Sequence, residues 1–267
     1  AGQTGDVIVQ AEIHELAFCL GAYLIYMFLK PKKDIVFYIL LGLTLFCFLA
    51  AFKRIGIIAI AVAVALGWVL KFIAKFKTST AKSLTIIISA LIMVFLIVYI
   101  AIIKMDVFTL LEKAGINTSG RVEIYDAVDK FYDFSIEFLG NGIGFLTYQL
   151  STNMNVGVSS VHNDFLQYFI DLGFCGYILW LASMTIVRVC YFGRKEKTEN
   201  AIITLALTVY LVIVSSTDNT MNYPLITTVL AIIMIGHGFN DDVRNKEMKM
   251  FGYVSKVNRE AKEEKVL

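Results

Sequence analysis

His162, Asn163 and Asp164 stand together directly ahead of a long apolar run, Phe165 to Phe192. Imidazole is the side chain whose ordinary pKa lies near neutrality, which makes His162 a candidate general base. It also fits a plainer role, a loop histidine that caps the following helix together with Asn163. Asp164 and Asp171 are seven residues apart and share a helix face, where both could point into one polar cavity. Asp164 serves equally well as a negative charge in a first helical turn. Arg121 opens the stretch RVEIYDAVDKFYDFSIEFL. There the first backbone N–H groups and the helix dipole favour an anion, and a guanidinium can grip phosphate through two parallel hydrogen bonds. The alternative for Arg121 is a surface pairing with Tyr125 or an acidic neighbour, worth roughly 0.2–0.5 kcal/mol. Lys53 and Arg54 form a second basic site, read either as an anion site or as a turn whose side chains snorkel into headgroups.

Other patterns carry less. The four cysteines, Cys19, Cys47, Cys175 and Cys190, lie in apolar runs without CxxC spacing, so neither disulfides nor a metal site is expected. His14-Glu15 lacks the second histidine of a zinc protease, because position 18 is Phe18. Gly140-x-Gly142-x-Gly144 follows no strand and is not a dinucleotide fingerprint. No cofactor, metal or nucleic-acid partner is expected.

The elements that hold these residues are set by composition. Of 267 residues, 58% are apolar and 17% charged, which excludes a soluble domain and marks an integral membrane protein of all-α class. No basic stretch followed by a short apolar one suggests a signal peptide. A bilayer core about 30 Å thick needs about 20 apolar helical residues. Seven candidate spans result: Ile13 to Leu29, Ile35 to Phe52, Ile55 to Ala74, Leu84 to Ile103, Phe165 to Phe192, Ala201 to Ser216 and Tyr223 to Phe239. Lys and Arg accumulate on the cytoplasmic side. An outside N-terminus leaves only Lys53, Arg54, Lys104, Lys113, Arg121 and Lys130 of the 24 basic residues outside.

This organisation gives membrane helices 1–4 in residues 1–103 and an extracytoplasmic loop in 104–163. Helices 5–7 follow in 164–239, then a charged cytoplasmic tail in 240–267. In the loop, Val122, Tyr125, Val128, Tyr132 and Ile136 recur at helical steps opposite acidic residues, predicting an amphipathic helix to about Leu139 with Thr118 or Ser119 as N-cap. Gly140-Asn141-Gly142 is expected to stop that helix, and Thr147 to Ser160 to be loop.

Four segments in order carry a resemblance: Lys53-Arg54-Ile55-Gly56; Gly120-Arg121-Val122; Gly142-Ile143-Gly144-Phe145; and His162-Asn163-Asp164-Phe165-Leu166 running to Gly173-Phe174-Cys175-Gly176. Together they resemble the O-antigen ligase and polymerase family of bacterial polytopic membrane proteins, the last segment being the most specific. Members are usually longer, so this chain looks like a C-terminal portion of one. The resemblance implies glycosyl transfer on the outer face of the cytoplasmic membrane, from an undecaprenyl-diphosphate-linked glycan donor to an acceptor glycan hydroxyl. It assigns the base role to His162 and diphosphate binding to Arg54 and Arg121, with Lys53, Asn163 and Asp164 in support. The implied partners are the two glycans, the lipid bilayer and a chain-length regulator protein.

Polymerase is favoured because such enzymes serve capsule and exopolysaccharide systems widely; the alternative is a ligase acting on lipid A core. A transporter for an anionic solute is the alternative of another class. It predicts ionisable residues at mid-helix, whereas here the charges gather at helix ends.

Overall fold

The computed structural model describes residues 4–30, 34–51, 54–115, 120–153, 160–195, 198–220, 226 and 229, with side chains from Leu16 onward except 192–195. The described residues form helices and connections, without strands. They are α1 (Thr4–Leu29), α2 (Ile35–Ala50), α3 (Arg54–Phe76), α4 (Thr78–Lys104), α5 (Val107–Lys113), α6 (Arg121–Val128), α7 (Phe145–Thr152), α8 (Asp164–Ala182), α9 (Arg188–Lys195) and α10 (Thr198–Ser215). A π turn, Ser183–Val187, joins α8 to α9.

Four stretches are long and apolar enough to cross a membrane: Arg54–Phe76, Thr78–Lys104, Asp164–Tyr191 and Thr198–Ser215. The apolar parts of the first two helices, Leu16–Leu29 and Ile35–Ala50, are shorter. The seventh expected span, Tyr223 to Phe239, and the tail at 240–267 lie outside the described residues. Four of the seven expected spans are thus matched by stretches of full length among the described residues. Of α2 only Phe48 is buried, so its remaining apolar side chains offer the surface of a helix bathed in hydrocarbon.

Between apolar helices in lipid, close packing and interhelical hydrogen bonds do the holding. Gly67 of α3 lies against Leu29, and Gly21 of α1 lies against the Tyr210 ring, so that a Cβ at either glycine would overlap its neighbour. Tyr210 also donates its hydroxyl to the Phe18 carbonyl at 2.8 Å. At the α1 C-terminus Lys71 donates to the Leu29 carbonyl and to Glu199, and the Trp68 indole N–H donates to the Phe28 carbonyl. Leu70 packs in one cluster with Ala201, Ile202 and Leu205, which makes α3 and α10 antiparallel and brings the start of α3 level with the end of α10.

The structure changes three expectations near the loop. The amphipathic helix ends at Val128 with a short 3-10 turn to Phe131, well before Leu139. Its N-cap position is Gly120 in a left-handed conformation; Thr118 and Ser119 lie outside the described residues. The chain leaves the helix because its aromatic residues go elsewhere: the Tyr132, Phe134 and Phe138 rings all gather on Phe169 at centroid distances of 5.6–5.9 Å. Then the first part of the expected polar loop, from Thr147, is helical as α7.

The third change concerns the fifth span. Gly173 sits inside it with φ 71° and ψ −179°, which is not helical, and the helix is two arms. Ring pairs Phe169–Tyr177, Tyr168–Trp180 and Phe165–Trp180 bridge the break, so the first arm folds back on the second. Only the second arm, continuing through α9, can serve as a span. The exposed backbone at the break is matched by residues 138–142. Asn141 and Gly142 donate their N–H groups to the Ile170 and Asp171 carbonyls at 3.1 and 2.9 Å, and Phe174 donates to the Phe138 carbonyl at 2.8 Å. Pairing of this kind is what permits non-helical backbone close to a bilayer. The glycines at 140 and 142 therefore dock a loop onto α8 rather than ending a helix.

Candidate functional site

Polar residues recur at four-residue steps on the first arm of α8, and each fastens a different element. Asn163 caps the arm, accepting the Leu166 N–H at 3.2 Å through Oδ1. Its Nδ2 donates to the Tyr99 hydroxyl of α4 at 3.0 Å and to the Tyr125 hydroxyl of α6 at 2.9 Å. Gln167 donates to Thr147 of α7 at 3.1 Å. Asp171 accepts the N–H groups of Gly144 and Leu146 at 2.8 and 3.1 Å, capping α7. Asp171 thus serves α7, while Asp164 accepts a hydrogen bond from Thr220 at 3.0 Å. The two carboxylates do not share the one cavity expected from their spacing.

His162 precedes this stripe in the left-handed region, φ 50°, a conformation that costs a non-glycine residue energy. Asn163 on its C-terminal side is fully buried and hydrogen-bonded from both ends of its amide, which holds the strained residue in place. The imidazole itself is 46% exposed, with Nδ1 3.7 Å from Asp218 Oδ1. That separation is an ion-pair distance once the ring is protonated and too long for a hydrogen bond. Asp218 also accepts the Asn219 N–H at 2.8 Å, and Asn219 donates to Ser160.

Arg121 approaches from α6. Its Nη2 donates to the Thr217 carbonyl at 3.0 Å, whereas its Nε is buried with no hydrogen-bond partner among the described residues. A buried donor left unmade costs about 1–3 kcal/mol, more for a charged group, so this nitrogen gains from an acceptor supplied by a ligand. Burial pushes the Tyr125 phenol above its ordinary range, opposed by its bond to Asn163 and by the nearby Arg121 charge.

Arg54 is exposed at the first residue of α3. The antiparallel packing that sets Leu70 beside Ile202 carries both helices about 24 Å further, to Arg54 on one and Asp218 beyond the other. Arg54, Arg121 and His162 thus belong to one end of the bundle. Lys53 lies outside the described residues. Lys104, at the same end, is fully engaged: it donates to the Asp129 and Tyr132 carbonyls at 3.0 and 2.9 Å and pairs with the Asp129 carboxylate at 2.8 Å.

Tyr99, Thr217, Asp218 and Thr220 join the cluster without having been singled out in the sequence. The run Ser216-Thr217-Asp218-Asn219-Thr220 after an apolar helix was the available signal for three of them. Among the described residues no cluster of three or more metal-ligating side chains occurs.

The described residues form a helical bundle of membrane type that gathers a histidine, a carboxylate and arginines at one end. The O-antigen ligase family model matches residues 38–181, more than half of the chain, and the chain belongs to that family. The match runs from α2 through the first arm of α8 and most of the second, enclosing Arg54, Arg121 and His162 and stopping short of Asp218. Neither a curated relative nor a solved structure matches the chain. Family membership makes it a membrane component of surface polysaccharide biosynthesis of the O-antigen ligase and polymerase type.

Proposed function

We propose that the chain is the part of a glycan polymerase that transfers an undecaprenyl-diphosphate-linked oligosaccharide to an acceptor sugar hydroxyl, on the outer face of the cytoplasmic membrane. The observation that carries this is the pairing of His162, exposed and beside Asp218, with Arg121, whose Nε has no partner among the described residues. In the proposed step His162 takes the proton of the acceptor hydroxyl. The freed oxygen bonds to the anomeric carbon while the bond from that carbon to the phosphate oxygen breaks. Undecaprenyl diphosphate leaves, its developing charge met by Arg121 and Arg54. Asp218 stabilises the imidazolium that forms, and Asn163 fixes the backbone that presents it. Catalytic hydrogen bonds are often long before substrate arrives, so 3.7 Å suits an orienting carboxylate in the empty state.

The arginines supply the positive charge that phosphate chemistry otherwise draws from a metal. The test uses the full-length protein in its own cell. His162→Ala should leave membrane insertion unchanged and reduce lipid-linked glycan to single repeat units on a gel. Normal chain length would rule out His162 as the base. Long lipid-linked chains made without a lipid A core acceptor distinguish polymerisation from ligation.

A further inference from the structure

Arg121 and His162 account for a phosphate and a proton, yet a glycan substrate also presents sugar rings. One helical turn along α8 from Asn163, a cleft of about 580 Å³ opens between α7 and the first α8 arm. That size lies within the usual range for small-molecule sites. Its lining residues include Tyr148 and Tyr168, Thr147 and Ser151, and Gln167. Tyr148 is 59% exposed, so its ring is open to a ligand. Neither tyrosine hydroxyl has a hydrogen-bond partner among the described residues. The cleft is also rigid at its back: Gln167 is tied to Thr147, and Asp171 to both Gly144 and Leu146.

We propose that this cleft is a sugar-ring subsite, resting on the glycosyl-transfer reading above, in which a pyranose lies with its apolar C–H face on the tyrosine rings. Its hydroxyls bond to Thr147, Ser151 and the two phenols. Aromatic walls with a few fixed polar groups suit a ligand that is apolar on one face and hydroxylated at its edge. Among its described lining residues there is no Lys or Arg, so it suits the sugar and leaves the diphosphate to Arg121. Gln167 lies one turn after Asn163 on the same arm, its backbone N–H donating to the Asn163 carbonyl at 3.1 Å. A ring held here therefore lies along the helix whose first residues adjoin His162.

The Tyr168 ring stacks on Trp180 at 4.4 Å, which makes Trp180 a reporter of the cleft. Loss of the ligand-induced emission change in Trp180→Phe assigns the signal to it. The experiment titrates the full-length protein, in lipid nanodiscs, with two probes. One is the repeat-unit oligosaccharide released by mild acid from the cell's own lipid-linked pool, free of diphosphate; the other is inorganic pyrophosphate. Binding is followed by calorimetry and by Trp180 emission. The oligosaccharide should bind saturably and change Trp180 emission. Tyr148→Ala combined with Ser151→Ala, both on an exposed helix face, should weaken it at least tenfold, while Arg121→Ala leaves it unchanged. Pyrophosphate should show the reverse dependence. Equal oligosaccharide affinity in the Tyr148/Ser151 variant, or no calorimetric binding to wild type, would overturn the subsite. Loss of pyrophosphate binding in Arg121→Ala stands separately and keeps the reading of the charged cluster.

Discussion

The two ends of the bundle both carry cations beside helix termini, and they treat them differently. At one end Lys71 is engaged by the protein, donating hydrogen bonds to the Leu29 carbonyl and to Glu199, so that its charge closes the contact between α1, α3 and α10. At the other end Arg121 makes one bond to the Thr217 carbonyl and keeps a buried Nε without a partner among the described residues. Lys104 shows that proximity to the loop does not explain the difference, because it too is engaged by backbone and carboxylate oxygens. A cation whose donors are all spent on the protein is part of the scaffold. One left with an unmet donor is open to an acceptor from outside.

The ends differ in backbone as well. Among the described residues the Lys71 end has no left-handed backbone, whereas the Arg121 end contains left-handed residues at Gly120, Gly140, Gly142, Gly144, His162 and Gly173. Strain of that kind persists only where the surroundings enforce it, and here the enforcing groups are Asn141, Asn163 and Asp171.

Gly173→Ala should break the comparison most severely. A Cβ there would sit 2.2 Å from the Leu139 carbonyl carbon, with backbone on both sides and φ 71° besides. The loop end should come apart, seen as protein that fails to accumulate in the membrane; normal accumulation and activity would show that the loop need not dock on the break. Arg121→Lys removes the two-point grip while keeping the charge, and turnover of lipid-linked substrate should fall about 100-fold with an unchanged melting temperature. Wild-type turnover would make Arg121 another Lys104. Lys71→Met should be the mildest, costing about 1 kcal/mol of thermal stability with turnover intact, since Glu199 is 39% exposed and its ion pair is screened. A turnover loss there as large as that of Arg121→Lys would erase the distinction between the two ends.

Apolar runs made the scaffold legible in the sequence. The expected Ile55 to Ala74 and Ala201 to Ser216 correspond to α3 and α10 within three residues, and Leu84 to Ile103 lies inside α4, which starts six residues earlier. The break at Gly173 was hidden because apolarity continues through it, and only pairing with residues 138–142 makes it possible. The early end of α6 was hidden for a related reason: the spacing of Tyr132 and Ile136 suits a helix, but Tyr132 is claimed by Phe169 across the chain. His162 and Arg121 stood out by residue type and motif. Asp218 did not, because it lies 56 residues from His162 and only the return of α10 brings it near.

In the proposed reaction His162 acts as a base at the end of the bundle that holds Arg121. His162→Asn tests it most directly, because asparagine tolerates the left-handed backbone that φ 50° demands and keeps a polar side chain, but cannot take the proton. Turnover of purified lipid-linked repeat units by the full-length protein should fall about 10²- to 10⁴-fold, with pyrophosphate affinity and melting temperature as in wild type. Turnover within a few-fold of wild type would contradict the account.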